Sequence, residues 1–393
     1  KIEPHDSVAR YTELGVEVLQ GYARLIDPWT VEIALNDGGV QRLTSRAIVI
    51  AAGAEPVVPP LPGLDAVGYV TSDTLWESLA ESEKPPARLL VLGGGPIGCE
   101  LSQSFARLGS EVTQLEMLPR IMMRDDEDVS AAAAQSLKDD GVKILTSTKA
   151  IRCERDGEQK RIIVCDEAGS ERAIEFDVLL CAVGRKPRTK GYGLADIGCD
   201  IESLKGNEYL ETSYPHILLA GDVVGPYQFT HMAAHQAWYA AVNALFGSFK
   251  KFKVDYSLVP RVTYVDPEVA SVGLNELEAN ERGISYEVTR YGIDDLDRAI
   301  CDSQAEGFIK VLTAPKSDRI LGVTIVGAQA GELLAEYVLA MKNGIGLKKI
   351  LGTIHSYPSM SEANKYVAGE WQKAHTPQWA LRYLVRFHAW RRG

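Results

Sequence analysis

A chain of 393 residues with 46% hydrophobic and 24% charged content is long enough for two or three globular domains. Its net charge of -11 argues against a nucleic-acid or anionic-membrane partner, because counterion release needs a basic surface. No apolar run approaches the roughly 18 to 20 residues of a bilayer span, no secretory leader pattern opens the chain, and six scattered cysteines lack CxxC or CxxxxC spacing. These features predict a cytoplasmic protein with no metal cage.

In chain order, "RAIVIAAGAEP" (46–56) reads as an apolar strand running into glycine, a pattern of strands buried on both faces. Pro85 and Pro86 read as a linker. "RLLVL" (88–92) then predicts a strand, "GGGPIG" (93–98) fits GxGxxG, Pro96 to Leu108 has helical spacing, and "EVTQLE" (111–116) predicts a second strand. Gly93 permits the tight turn, Gly95 lets the backbone approach a pyrophosphate, and Gly98 lets helix and strand pack closely. The helix N-terminus offers amide hydrogens and a positive dipole to phosphates. Glu116, ending the second strand, can accept both ribose hydroxyls of adenosine and would repel a 2'-phosphate, so the spacing predicts NAD(H) over NADP(H). "DVLLCAVG" (177–184) reads as the closing strand of this unit.

A third apolar strand, "TSYPHILLAGD" (212–222), ends in Gly221 and Asp222. An acid there is placed to bind a ligand hydroxyl at the carboxyl edge of a sheet, and reads equally as a helix N-cap. "RILGVTIVGAQAGELLAEYVLAMKNG" (319–344) predicts a strand and a Leu/Ala-rich helix that could pack against its mate in a dimer. The tail "QWALRYLVRFHAW" mixes aromatic, apolar and basic residues at helical spacing. It could rest on a membrane surface, but in an acidic chain it is read as a surface helix of the last domain, with no membrane partner.

Together these motifs resemble the flavoprotein disulfide reductases of the pyridine nucleotide class, the family of dihydrolipoamide dehydrogenase, glutathione reductase and mercuric reductase. "AAGAEP" resembles the segment that passes the flavin, "LLCAVGRKPRT" the segment closing the NAD domain, "TSYPHILLAGDVVGPYQFTHMAAHQ" the second FAD fingerprint, and "VPRVTYVDPEVASVGLNE" the entry to the interface domain. The resemblance implies an α/β chain: a Rossmann-like FAD domain, here incomplete (1–71 and 189–255), an inserted Rossmann-like NAD domain (72–188), and a C-terminal α+β dimerisation domain (256–393). It implies a homodimer and places Ala52, Gly53 and Ala54 near FAD, with Gly221 and Asp222 at the ribitol chain. Thr230 and His231 would lie beside the flavin, although His231 also reads as a structural histidine, and Gly184 would lie near NADH.

The family's first FAD fingerprint and its redox CxxxxC are not in these 393 residues. The chain is therefore expected to be a carboxyl-terminal part of a longer protein, inactive alone. "TIHSYPSMSEANKY" (353–366) resembles the family's catalytic HPxxxE, but Tyr357 stands where the histidine would be, His355 lies two residues early, and Glu362 keeps its place. A phenol with a pKa near ~10 is a poor base at neutral pH but donates a hydrogen bond. Tyr357 with Glu362 is the pair expected at the acceptor. Glu100 resembles the family glutamate that pairs with a lysine near the flavin, and reads equally as an exposed first-turn helix acid. The expected activity is electron transfer from NADH through FAD to a disulfide, and on to a small thiol/disulfide or metal-ion acceptor. An NADH oxidase or quinone reductase without a dithiol, and a non-catalytic nucleotide-binding dimer scaffold, remain the alternatives.

Overall fold

The computed structural model describes residues 3–199 and 207–393. Residues 200–206, within the flavin segment expected at 189–255, lie outside the described residues. The chain divides into two compact units, Lys1–Glu55 with Arg185–Asp255, and Pro56–Gly184 with Tyr256–Gly393.

In the first unit an antiparallel sheet is formed by Gly21–Asp27, Thr30–Leu35 and Val40–Thr44. A parallel pair joins Ile48–Ile50 to Ile217–Leu219, with the helix Thr230–Phe246 packed on it. Ile217, Leu218 and Leu219 are fully buried, as their apolar run predicts. The matching expectation for the earlier strand fails at Val49, which is 42% exposed. The strand pleat turns Val49 opposite to Ile48 and Ile50, and only Ile50 on that other side is buried.

The second unit contains a five-stranded parallel sheet in the order Val70–Thr71, Val178–Cys181, Arg88–Leu92, Glu111–Leu115, Lys143–Leu145. Its edge strand Val70–Thr71 precedes the 72 boundary read from the sequence. Leu89, Leu90, Val91 and Leu92 are all buried, because the strand is covered on both faces. One face meets the helices Pro96–Arg107 and Glu127–Asp139; the other packs Leu90, Leu92 and Leu179 against Ile162, Val164 and Phe176 of an antiparallel three-stranded sheet.

The same unit holds a five-stranded antiparallel sheet in the order Arg261–Thr263, Glu268–Gly273, Ile320–Gly327, Phe308–Thr313, Glu287–Gly292. Every residue of Phe308–Thr313 is buried. Ile309 and Val311 face the helices Ala330–Lys342 and Glu362–Ala374, whereas Phe308, Val269 and Val326 join the core of the parallel sheet. One face of the Leu/Ala-rich helix buries Leu333, Leu334, Tyr337 and Ala340 against its own sheet. Leu339, 64% exposed, is on its outer side.

Between the two sheets Lys310, with 1% exposure, reaches Asp126 and Asp128 at 2.7 Å and Glu276 at 2.9 Å. Burial lowers the pKa of the ammonium more than any one neighbour raises it, but the hydrogen bonds it donates to Asp126, Asp128 and Glu276 together leave it above its ordinary 10.5. A cation with a raised folded pKa contributes stability that is complete below the unfolded value and is lost as pH rises through the folded one. Lys310→Met keeps the stem but leaves Asp126, itself 5% exposed, without its cation. We expect a loss of about 3 kcal/mol in urea unfolding at neutral pH, shrinking at strongly alkaline pH. A variant as stable as the wild type would remove Lys310 from this role.

Candidate functional site

The glycine turn follows directly from strand Arg88–Leu92. Gly93 has φ +113°, and a Cβ there would run into the carbonyl of Ala182, so both conformation and space require glycine. A Cβ on Gly98 would meet the carbonyl of Gly93, which is the close helix–strand approach expected of it. Gly95 has open space on its Cα, leaving its backbone accessible to a ligand. Pro96 opens the helix, where the lack of an N–H costs nothing.

Sequence reading missed the groups that brace this turn. The Gly94 amide donates to Glu116 Oε2 at 2.6 Å, and the Leu118 amide donates to Oε1 at 2.8 Å. Glu116 is thus aimed by backbone from both sides and keeps lone pairs on both oxygens. Gln114, fully buried, donates through Nε2 to the Gly93 carbonyl at 3.0 Å. Beneath them the thiol of Cys99 is pushed up to about 12 by burial, with a hydrogen bond from Gln114 acting the other way. Gly184, with φ +127° and open space, follows the adjacent parallel strand Val178–Cys181. The two glycine turns therefore leave the same carboxyl edge of the sheet, where open α/β sheets bind ligands. The residues present fit a dinucleotide.

In the first unit the parallel pairing of Ile48–Ile50 with Ile217–Leu219 brings Ala52, Gly53 and Ala54 to the same edge as Gly221 and Asp222. Gly53 has φ +71° and open space; its carbonyl accepts from the Arg188 amide at 3.0 Å, and the Ala54 carbonyl accepts from Arg185 Nη2 at 2.9 Å. Asp222 is not a helix N-cap: it lies inside the 3-10 turn Gly221–Val223, while Phe229 caps the following helix. Burial raises its pKa and the charge of Arg185 opposes the rise. The turn is fixed by the Gly221 amide, which donates to the buried Gln236 at 2.8 Å. Thr230 and His231 begin the next helix on its exposed side, with His231 stacked on Phe229 at 5.2 Å between centroids. A half-buried carboxylate beside an open glycine fits the hydroxyl-bearing chain of a flavin nucleotide.

Tyr357 and Glu362 line one cleft of about 480 Å³, with Tyr291, Asp297 and Tyr366. The structure brings them together without bonding them. The Tyr357 hydroxyl donates to Asp297 Oδ2 at 2.9 Å, and that carboxylate raises the phenol's pKa. Glu362, 8% exposed, accepts from the Ser359 amide and the Tyr366 hydroxyl, each at 3.2 Å. His355 turns inward: its side chain is 6% exposed, Nε2 faces Glu336 at 3.1 Å and Nδ1 faces the Thr353 carbonyl at 3.2 Å. Glu100 is half-buried rather than an exposed helix acid; Oε1 accepts from the Tyr264 amide at 2.8 Å, and burial raises its pKa.

All six cysteines are free, with Cys99, Cys153, Cys181 and Cys199 buried. No described helix is long and apolar enough to cross a membrane.

Residues 4–239 match the pyridine nucleotide-disulphide oxidoreductase family and residues 259–368 match its dimerisation domain. The chain is 38% identical over 363 residues to a dihydrolipoamide dehydrogenase of Chaetomium thermophilum, covering 90% of this chain and 70% of that protein. It is 36% identical over 362 residues to a mercuric reductase of Lysinibacillus sphaericus, covering 91% and 64%. Among solved structures, the Cu(II) complex of the HOCl-induced flavoprotein disulfide reductase RclA from Escherichia coli superposes with a TM-score of 0.80 at 27% identity, covering 89% of this chain and 78% of that one. Glycine turn, acidic strand end, paired sheet edges and dimerisation fold all agree with these matches, and the chain belongs to the pyridine nucleotide-disulphide oxidoreductase family, as an FAD-dependent, NAD(P)H-linked enzyme.

Proposed function

We propose that the chain forms the NADH site, part of the FAD site and the dimerisation domain of a cytoplasmic homodimeric reductase. The observation that carries the cofactor reading is Glu116, a carboxylate held by two backbone amides at the end of the second strand. In this reading Gly93, Gly95 and Gly98 shape the pyrophosphate turn, Gly184 borders the nicotinamide half, and Glu116 accepts the ribose hydroxyls. Ala52, Gly53, Ala54, Gly221, Asp222, Thr230 and His231 line the flavin. FAD held there would supply hydride acceptance from the nicotinamide and onward electron transfer. The protein's own task is to orient both nucleotides and exclude water. The domain division is 1–71 with 189–255 for FAD, 72–188 for NADH, and 256–393 for dimerisation; free, mostly buried thiols accord with the cytoplasm.

The acceptor is a small thiol/disulfide compound or a metal ion, the two classes named by the relatives. Tyr357 presents a protonated hydroxyl to it, because Asp297 accepts the phenol's hydrogen bond and disfavours the phenolate. Glu362 holds the loop through Ser359 rather than orienting Tyr357. Glu100 holds the turn helix to the Tyr264 backbone, which leaves its contact with the flavin region as a role for the assembled enzyme.

The reading as a whole is tested by anaerobic addition of NADH to the purified full-length protein. We expect the yellow flavin absorbance to bleach, and a protein whose flavin stays oxidised would refute the reading. For the nucleotide, Glu116→Gln should weaken NADH about tenfold and narrow discrimination against NADPH, and Glu116→Arg should invert the preference, measured by nucleotide fluorescence titration. Tighter binding of NADPH by the wild type would sink the assignment. For the acceptor, Tyr357→Phe should lower turnover about tenfold without altering flavin reduction. Asp297→Asn should move the alkaline limb of the turnover profile to lower pH, since the phenol then ionises more easily. An unchanged pH profile would separate Asp297 from the chemistry.

A further inference from the structure

No residue of the tail helix Gln378–Arg392 is buried. Its apolar side chains nevertheless dominate: Trp379 is 69%, Tyr383 65% and Trp390 77% exposed. A helix that packs on its own domain buries one stripe, so a surface helix of the dimerisation domain does not account for these aromatics. Trp379, Tyr383, Phe387 and Trp390 recur at helical spacing and form one face of a rod about 22 Å long. Arg382 and Arg386 run along one flank of that face, and Arg391 and Arg392 close its end.

Charge is segregated as sharply. All 53 Asp and Glu residues of the chain precede Thr376, so the last segment is purely basic although the chain's net charge is -11. The surface that covers the helix must therefore be apolar within and anionic at its rim. A second copy of the chain is the other candidate, but the match to the family's dimerisation domain ends at residue 368 and the helix begins at Gln378.

We propose that Gln378–Arg392 is a membrane-surface anchor that lays its aromatic face into the headgroup region of an anionic bilayer, with its arginines on the lipid phosphates. Trp and Tyr favour that depth, and Arg stems reach from apolar surroundings to charged headgroups. The acidic remainder of the chain is repelled by the same surface, so binding is local, reversible and carried by the helix. The net charge of the whole chain does not show this segregation.

The test is flotation of the purified full-length protein with vesicles of equal parts phosphatidylglycerol and phosphatidylcholine, beside vesicles of phosphatidylcholine alone. We expect the protein to float with the anionic vesicles only, with blue-shifted tryptophan emission and release at high salt. Arg382→Gln with Arg386→Gln should lower the partition coefficient about thirtyfold, and Trp379→Ala with Trp390→Ala should abolish flotation. Both variants should keep wild-type flavin content and NADH turnover, since the helix holds no residue assigned to either site. A wild-type protein that stays in solution overturns the proposal, as do variants that float like the wild type. Dissociation of a dimer by the tryptophan pair, without any wild-type flotation, overturns it too and assigns the face to a second copy.

Discussion

An ammonium group removed from water has to be surrounded by anions, and Lys310 meets that demand with acids drawn from two different parts of the fold. Asp126 and Asp128 come from the start of a nucleotide-domain helix and Glu276 from a helix of the dimerisation domain. The apolar contact between the two sheets is larger but non-directional, and would tolerate sliding. The ionic cluster favours one register, as buried polar groups do in the best-attested cases. With the sheets seated, Gln103 and Arg107 on the turn helix reach the backbone and carboxylate of Asp266, and Ser136 reaches the same carbonyl.

The consequence for the site is rigidity supplied from behind. The turn helix is braced at Glu100, Gln103 and Arg107 against residues 264–266, while Gly95 at its start keeps open space. Glu116 and Tyr357 follow the same pattern at different places: each presents a polar group whose direction is set by a partner that need not touch a ligand. Orientation settled before binding is what makes a weak donor or acceptor effective, because no reorganisation has to be supplied at the moment of reaction.

The nucleotide turn was legible in the sequence because its requirements are local. A tight turn, a close approach and a helix start fall within six consecutive residues, and each excludes a Cβ or favours a particular residue for a stated reason. The parallel sheet was legible for a related reason, since strands covered on both faces have to be apolar throughout. What stayed hidden depends on residues distant in sequence. Nothing in the chain links Tyr357 to Asp297, Gly221 to Gln236, or Lys310 to its acids until the fold brings them together. Asp222 reads as a cap by residue type alone, and its place inside a 3-10 turn became visible only with the backbone. The Leu/Ala-rich helix shows the same limit, because an apolar stripe records that something is covered and not what covers it.

Cys99 lies directly under the glycine turn, with its thiol donating to the Gly94 carbonyl at 3.5 Å. A thiolate at that position would attack disulfides and capture soft metal ions, the two kinds of compound that relatives of this chain process. Burial pushes the thiol's pKa up to about 12, which disfavours the thiolate. Exclusion of solvent, rather than removal of the cysteine, thus keeps a thiolate out of the glycine turn.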